Sequence, residues 1–314
     1  MHVPVMLMET VDRLAVKPGG TYLDCTLGDG GHSAEILRRA GRGCSLLALD
    51  RDEDALVRAM GNLRNFPAAV TYSHVNHAHA ADKCRELGFT ALDGALIDCG
   101  VSSEQLDEPL RGFSFLHDGP LDMRMDRSHG ETAADLVATL PADELARIFS
   151  ELGEEPCARQ IAAEIVRARE REAIITTGRL ADIVERALGP AARARHRHPA
   201  TRVFQALRVR VNHELESLGM AIDGILPLLK PGGRLAVITF ESISDRLVKH
   251  IFADHVGKIE SLQQGGAEWR GELPRVAKTD RHAVIPRPEE IAANPRARSA
   301  KLRAVEIVTE QPLP

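Results

Sequence analysis

Residues 21–50 read TYLDCTLGDGGHSAEILRRAGRGCSLLALD and decide the fold. Two apolar runs, 22–27 and 46–49, flank a glycine-rich turn at 28–31 and a helical pattern. Asp50 ends the second run about 20 residues after the turn, the spacing at which an acid accepts hydrogen bonds from the ribose of a bound nucleoside. Glycines let the backbone approach such a ligand closely. The stretch therefore predicts an α/β fold with a nucleoside site.

The same alternation of apolar runs and helical stretches continues along the chain. Between the strands predicted at 94–97 and 234–240, apolar residues recur at helical spacing, as at 158–166 and 180–188. We expect a Rossmann-like, mostly parallel α/β sheet built by residues 1–105 and 213–314, with an inserted helical domain at 106–212. The predicted strands are 22–27, 46–50, 70–75, 94–97, 234–240 and 303–308, and the first helices are 33–40, 52–63 and 79–87.

Composition limits the class of protein. With 314 residues, 44% of them hydrophobic, the chain can bury a full core. The net charge of −5 argues against general adhesion to nucleic acid, so any such contact must come from local basic patches. No apolar stretch approaches the ~20 residues of a membrane span, and no signal peptide is expected. Five cysteines without a C-x-x-C pair indicate free thiols in a reducing cytoplasm.

A second acid, Asp98, follows the strand predicted at 94–97 and precedes the small residues Cys99 and Gly100. The carboxyl ends of parallel strands meet at one edge of the sheet, so Asp98, Asp50 and the glycine turn should converge there. Asp98 could accept a hydrogen bond from an exocyclic amine, which must be aligned and lose a proton during methylation. The alternative is that these acids only cap helices. The turn alone is weak evidence, since it is not G-x-G-x-x-G.

One loop region mixes cations with aromatic side chains. Phe113 and Phe115 could stack an unpaired base while Arg111 and Arg124 meet phosphates. The alternative is that the aromatic rings pack in the core and the arginines face water.

Two basic segments invite a similar pair of interpretations. No acid occurs between residues 186 and 213, and a helix near Pro199 presents Arg202 and Arg208. A second segment near residue 295 contains Arg296 and Arg298. Either segment could contact RNA, or its charges could simply be solvated. On the helix, a polar stripe is predicted at Thr201, Gln205, Arg208 and Asn212.

Metal and hydrolase chemistry have weaker support. His74, His77 and His79 lie close together, but no cysteine or acid cluster completes a zinc site, so no metal is expected. The chain has no G-x-S-x-G elbow for a serine hydrolase.

Taken in order, these segments resemble the 16S ribosomal RNA cytosine N4-methyltransferase family over nearly the whole chain. Many long matches in order make the resemblance specific, which the glycine turn alone would not be. The matching segments are 2–7, 26–33, 50–52, 98–107, 111–115, 119–126, 153–155, 198–208 and 294–299.

The resemblance implies a class I methyltransferase that uses S-adenosyl-L-methionine (SAM) and carries an inserted helical substrate domain. It implies methylation of a cytidine amino nitrogen in the decoding region of 16S rRNA, with the small ribosomal subunit as partner and the cytoplasm as location. By the same resemblance the cofactor is lined by Gly30, Gly31, His32, Asp50, His77, Asp98 and Gln105.

Two positions depart from the family pattern. His77 stands where the family places an aromatic residue beside the cofactor, so stacking there should be weaker or different. Glu241 replaces an imidazole after the fifth strand, so a role in positioning the base cannot be transferred to it.

Two other functions remain open at this point. A catalytically weak RNA-binding or ribosome assembly factor is suggested by the change at Glu241. An NAD-dependent oxidoreductase is disfavoured by the imperfect glycine pattern. DNA is not expected as a substrate, because Asp98 does not begin an Asp-Pro-Pro-aromatic tract. The sequence leaves a homodimer open.

Overall fold

A computed structural model describes residues 4–189, 198–262 and 266–308. The chain forms two compact units that divide after Gly100 and after Glu214. Unit 1 combines the two ends of the chain and unit 2 is the insertion, residues 101–214. The insertion expected from the sequence was 106–212. The observed unit starts earlier because the chain leaves the sheet directly after the fourth strand.

Unit 1 contains nine strands in its described residues. They are β1 Thr21–Asp24, β2 Ser45–Asp50, β3 Ala69–His74, β4 Leu92–Cys99 and β5 Leu229–Thr239, then β6 Lys258–Ser261, β7 Ala267–Arg270, β8 Val276–Lys278 and β9 Lys301–Ile307. Seven of them form one sheet in the order β3-β2-β1-β4-β5-β9-β8, and β6 and β7 form a separate hairpin. The first five strands of the sheet are parallel, whereas β9 runs antiparallel to both β5 and β8. The predicted Rossmann-like, mostly parallel α/β fold is confirmed.

The sheet divides the core of unit 1 into two layers because successive side chains of a strand point to opposite faces. Leu47 and Leu49 of β2 pack in one layer, and Leu46 and Ala48 in the other. These strands are apolar on both sides, as expected for parallel strands covered by helices. The helices of unit 1 are α1 Leu7–Leu14, α2 Gly31–Ala40, α3 Glu53–Leu63, α4 Ala80–Glu86, α11 Glu214–Ile225, α12 Ser242–Val256 and α13 Pro288–Ala293, of which α13 buries no residue.

Unit 2 is helical and has its own core. The predicted helical spacing at 158–166 and 180–188 is confirmed, since Ile161, Ile165, Leu180 and Val184 are fully buried. Thr132 starts one helix with a reciprocal capping box to Asp135. The helices are α5 Ser103–Asp107, α6 Ala133–Thr139, α7 Ala142–Glu151, α8 Ala158–Arg169, α9 Thr177–Leu188 and α10 Thr201–Val211.

Two bulk expectations can be compared with the structure. All five cysteines are free, and three of them are fully buried. None of the helices in the described ranges combines the length and the apolar character that a membrane crossing requires.

Candidate active site

The glycine turn after β1 is shaped by backbone conformations that favour glycine. Gly28 and Gly30 have φ values of 54° and 81°, in the left-handed region where a Cβ is unfavourable. Gly30 caps the N-terminus of α2. A Cβ on Gly31 would collide with the ring of Pro4. The positive φ values and the close approach of Pro4 explain why glycine occupies the turn, and a ligand contact with its backbone stays a prediction.

Asp50, at the end of β2, fixes this turn. One carboxylate oxygen accepts a hydrogen bond from the Gly28 amide and the other from the Asp52 amide, each at 2.8 Å. Burial raises the pKa of Asp50 to about 6, although both hydrogen bonds oppose the shift. A carboxylate offers about four acceptor positions, so about two remain for the ribose hydroxyls predicted as its ligand. That role stays a prediction.

A buried carboxyl group, Asp24, lies at the end of β1 and was not singled out from the sequence. It accepts hydrogen bonds from the Ser33 hydroxyl at 2.6 Å and from the Thr26 amide at 3.1 Å. Burial raises its pKa to about 6. The Thr26 hydroxyl in turn accepts from the Asp98 amide at 2.6 Å. This network links the end of β1 to the end of β4.

Asp98 is the least satisfied acid of the group. Its Oδ1 is buried and has no hydrogen-bond partner among the described residues, although the side chain as a whole remains 25% exposed. Its Oδ2 lies 3.8 Å from Nδ1 of His32, which is too long for a hydrogen bond. Burial, and then the neighbouring Asp24, raise the pKa of Asp98 to about 7. Oδ1 of Asp98 can therefore accept a hydrogen bond from a bound ligand.

His32, on the first turn of α2, is a neutral neighbour of Asp98. Its Nε2 lies 3.1 Å from the Val5 carbonyl oxygen, to which only a protonated nitrogen can donate. Burial lowers the pKa of His32 to about 4, so its Nδ1 presents a lone pair rather than a proton. It therefore supplies no positive charge to Asp98. Three acids with raised pKa values suit a cationic ligand, and the sulfonium and ammonium groups of SAM have this chemistry.

His77 lies in a short 3-10 turn, His77–His79, after β3. Its ring is buried, and Nε2 has no hydrogen-bond partner within residues 4–189, 198–262 and 266–308. Burial and the nearby charge of Arg51 lower the pKa of His77 to about 4. The ring is therefore neutral, flat and able to pack against an apolar or aromatic group. Its predicted place beside the cofactor stays a prediction.

Gln105 belongs to unit 2 and organises its first helix. Its side-chain oxygen Oε1 accepts a hydrogen bond from the backbone N–H of Ser102 at 3.0 Å. The Ser102 hydroxyl in turn accepts one from the backbone N–H of Gln105 at 3.1 Å. This reciprocal pair is a capping box for α5. Part of the Gln105 side chain is thus already used, and its predicted contact with the cofactor stays a prediction.

Glu241 starts α12 immediately beyond β5. Thr239 pairs in register with Cys99, and a Cβ on Gly100 would lie 2.9 Å from the Phe240 ring. Glu241 is thus a further carboxyl residue at the edge of the sheet that carries Asp98. Its side chain does not cap the helix.

Several residues predicted to contact RNA are instead structural. Phe113 is buried in the core of unit 2, so it is not available to stack a base. Arg111 is also buried, and its guanidinium donates to the carbonyls of Arg124 and Met125 at 3.3 and 2.9 Å. The prediction that Phe113 and Arg111 meet RNA is therefore wrong, because both hold a loop to the core.

Three further candidates are engaged within unit 2. Phe115 stacks on His198 with ring centroids 4.3 Å apart. The Arg124 guanidinium makes two hydrogen bonds to Asp122, at 2.8 and 2.9 Å. Arg208 makes the same kind of paired contact with Glu214. These side chains contact protein rather than open solvent, so their predicted RNA role has little geometric support.

The polar stripe of α10 is also used internally. The Asn212 side chain accepts from the Met125 amide and donates to the Met123 carbonyl, both at 2.8 Å. Asn212 therefore holds the segment before α6 to the end of α10, and an RNA contact of the other stripe residues stays a prediction.

Three predicted RNA contacts remain exposed. The Arg202 side chain is 46% exposed and lies at the limit of ion-pair distance, 4.0 Å, from Glu155. Arg296 and Arg298 are exposed on the 3-10 turn Pro295–Ser299 of unit 1. Three further arginines of the acid-free stretch, Arg193, Arg195 and Arg197, lie outside the described residues.

The chain is similar in sequence to known proteins over nearly its whole length. A family model described as the MraW methylase family matches residues 1–308. The ribosomal RNA small subunit methyltransferase H of Symbiobacterium thermophilum is 49% identical over 304 residues, which cover 97% of this chain and 96% of that protein. The protein of the same name from Carboxydothermus hydrogenoformans is 49% identical over 305 residues, 97% of each chain.

A solved structure of an rRNA methylase from Streptococcus thermophilus aligns with 98% of this chain and 99% of its own. Its sequence identity is 11% and the TM-score is 0.44. Structural similarity at this level does not bear on function.

Proposed function

Because the chain belongs to the MraW methylase family, we propose that it transfers the methyl group of SAM to N4 of a cytidine in the decoding region of 16S rRNA. The observation that carries this proposal is the unpartnered, buried oxygen of Asp98 at a sheet edge that holds three acids with raised pKa values. Such an edge favours a cation and a hydrogen-bond donor.

The residues of unit 1 would divide the binding of SAM among them. Asp50 accepts hydrogen bonds from the ribose, and the backbone at Gly30 and Gly31 approaches the ligand at the start of α2. His77 packs its neutral ring beside the adenine, and neutral His32 adds no repulsive charge. When bound, SAM supplies an electrophilic methyl group.

Asp98 would line the SAM site, where its buried oxygen accepts a hydrogen bond from the bound ligand, and would also act on the cytosine amine. Its carboxylate accepts a hydrogen bond from N4, which orients the nitrogen lone pair toward the methyl carbon. As the new N–C bond forms, the bond between sulfur and the methyl carbon would break and leave a neutral thioether, and N4, which becomes positively charged, would lose a proton to Asp98. A carboxyl group with a pKa of about 7 is close to the ambient pH, which suits a proton acceptor. Alignment supplies most of the rate enhancement in this scheme, and it involves no metal.

Unit 2 would recognise the RNA. Arg202 is its exposed candidate for a phosphate contact, and Arg296 and Arg298 are those of unit 1. Since the net charge is −5, these local cations would dock the protein on a structured particle rather than on any nucleic acid. The small ribosomal subunit in the cytoplasm is the proposed partner.

The alternative proposal is an RNA-binding assembly factor with weak catalysis. It is favoured by Glu241, a carboxyl residue where the resembling family has an imidazole. Isotopically labelled SAM and nucleoside mass spectrometry separate the two functions. Labelled N4-methylcytidine in treated small subunits supports the methyltransferase, and RNA binding without the labelled nucleoside supports the alternative.

Two controls sharpen that experiment. Free 16S rRNA and assembled subunits are treated in parallel, because the preferred substrate is the one labelled faster. Calorimetric titration with NAD serves as the negative ligand control. Binding of NAD but not SAM would exclude the proposed methyl transfer and return the oxidoreductase interpretation.

A further inference from the structure

We propose that Asp223, His255 and Glu272 form a binding site for a divalent transition-metal ion, with zinc as the ion that best matches their ligand atoms. One nitrogen and two carboxylate oxygens converge within 4.8 Å of one another. The three residues are far apart in sequence and lie on α11, on α12 and in the segment between β7 and β8. All belong to unit 1.

His255 is held in the orientation of a metal ligand. Its Nδ1 lies 3.1 Å from the Pro274 carbonyl oxygen, and only a protonated nitrogen can donate to a carbonyl. This contact places the lone pair of a neutral ring on Nε2. Metal-binding histidines commonly use their second nitrogen in this way, which fixes the tautomer and the ring plane.

The other nitrogen of His255 is both buried and unsatisfied. The side chain is only 4% exposed, and Nε2 has no hydrogen-bond partner in the part of the chain that the structure describes. Nε2 faces the two carboxylates. A buried nitrogen without a partner is unfavourable, and an ion between it and the acids would remove that penalty.

The distances suit ligands around a shared ion better than direct contacts. Nε2 lies 3.7 Å from Oδ1 of Asp223 and 3.7 Å from Oε2 of Glu272. A charge-assisted hydrogen bond would be about 2.7–2.9 Å. Two ligands about 2.1 Å from a zinc ion at a tetrahedral angle lie about 3.4 Å apart, so small side-chain movements complete the geometry.

The donor set and exposure indicate which ion would bind. An imidazole is a preferred ligand of zinc and of neighbouring transition metals, whereas magnesium and calcium take oxygen ligands. Asp223 and Glu272 are 60% and 66% exposed, so the ion can enter from solvent and water can complete its shell. The ion would link α11 to α12 and to the chain before β8, and thereby stabilise unit 1.

The competing interpretation is a protonated imidazole between two acids, with no metal. The two are separated by titrating chelator-treated protein with ZnCl2 in a calorimeter and by measuring Tm. We expect one zinc ion per chain at this site and a rise in Tm of about 5–10 °C at a zinc concentration a hundredfold above Kd. EDTA should reverse the shift.

Variants assign the binding to this cluster. Asp223→Asn and Glu272→Gln change exposed side chains and should fold, yet each should weaken zinc affinity at least about 10-fold, as should His255→Gln. Glu268→Gln is the matched control, because it removes an equally exposed carboxylate on β7 and should leave the affinity unchanged. Absence of zinc binding, unaltered binding in all three cluster variants, or binding of Mg²⁺ alone would overturn the proposal.

Discussion

Neutralising Asp98 should stabilise the protein without ligand while weakening SAM binding. The acid is held in a desolvated position beside Asp24, which raises its pKa from 3.8 to about 7. An acid with a raised pKa binds more protons in the folded state than in the unfolded state. The protein therefore loses stability as the pH rises from 3.8, the pKa of Asp98 in the unfolded chain, to about 7, its pKa in the folded protein. The loss is complete above about pH 7.

The magnitude follows from the size of the shift. About three pKa units correspond to about 4 kcal/mol. The side chain is 25% exposed, so water screening reduces this value and we expect Asp98→Asn to gain about 1–2 kcal/mol at pH 8. That gain corresponds to a rise in Tm of about 2–8 °C. At pH 5 the gain should be smaller, because the native acid, whose pKa is about 7, is then almost fully protonated.

The same substitution should weaken SAM binding. Hydrogen bonds to charged groups contribute about 1.5–3 kcal/mol, so the Kd should rise about 10- to 100-fold. Differential scanning calorimetry at pH 5 and pH 8 measures the stability, and isothermal titration measures the affinity. The reasoning is refuted if Asp98→Asn is less stable than the wild type at pH 8, or if it binds SAM equally well.

The remaining predictions concern the turn and the RNA contacts. Gly30→Ala should destabilise unit 1 by about 1–2 kcal/mol in a denaturant titration, because φ is 81° and the Cβ would press on Leu63; an unchanged midpoint would contradict this. Arg111→Lys should destabilise the protein by about 2 kcal/mol, because Nη2 of the guanidinium donates to two carbonyls and the shorter lysine side chain would leave both without this donor. Arg202→Ala should leave stability unchanged while reducing the salt dependence of RNA binding by about one counterion, measured by filter binding at several salt concentrations. Unchanged stability of Arg111→Lys, or a loss of stability with an unchanged salt dependence for Arg202→Ala, would contradict the roles assigned to these two arginines.

Much of the sheet could be predicted from the sequence because its strands are strongly patterned. The runs ending at Asp50 and Asp98 are apolar on both faces, and each stops at the polar residue that faces the ligand edge. The short β8 strand and the β6–β7 hairpin were missed. Each of these strands has only three or four residues, too few for a pattern to identify a strand from the sequence.

In unit 2, the sequence did not reveal which way the predicted RNA-binding side chains point. Composition shows that Arg111 and Phe113 occur together, but not that both point inward. Asn212 satisfies backbone groups about 90 positions away, a contact that no local pattern reveals. The cluster around His255 was missed for the same reason, since its members come together only in the folded chain.

The central claim is that Asp24, Asp50 and above all Asp98 make the edge of the sheet a binding site for a cationic ligand. Titration of SAM at pH 7 in buffers of different ionisation enthalpy tests it directly, because the difference in heat reports protons exchanged on binding. With a pKa of about 7, Asp98 is about half protonated in the free protein, so binding should release about half a proton from it. Asp98→Asn should lack that contribution. SAM binding with no proton release, or with the same release in the variant, would contradict the account.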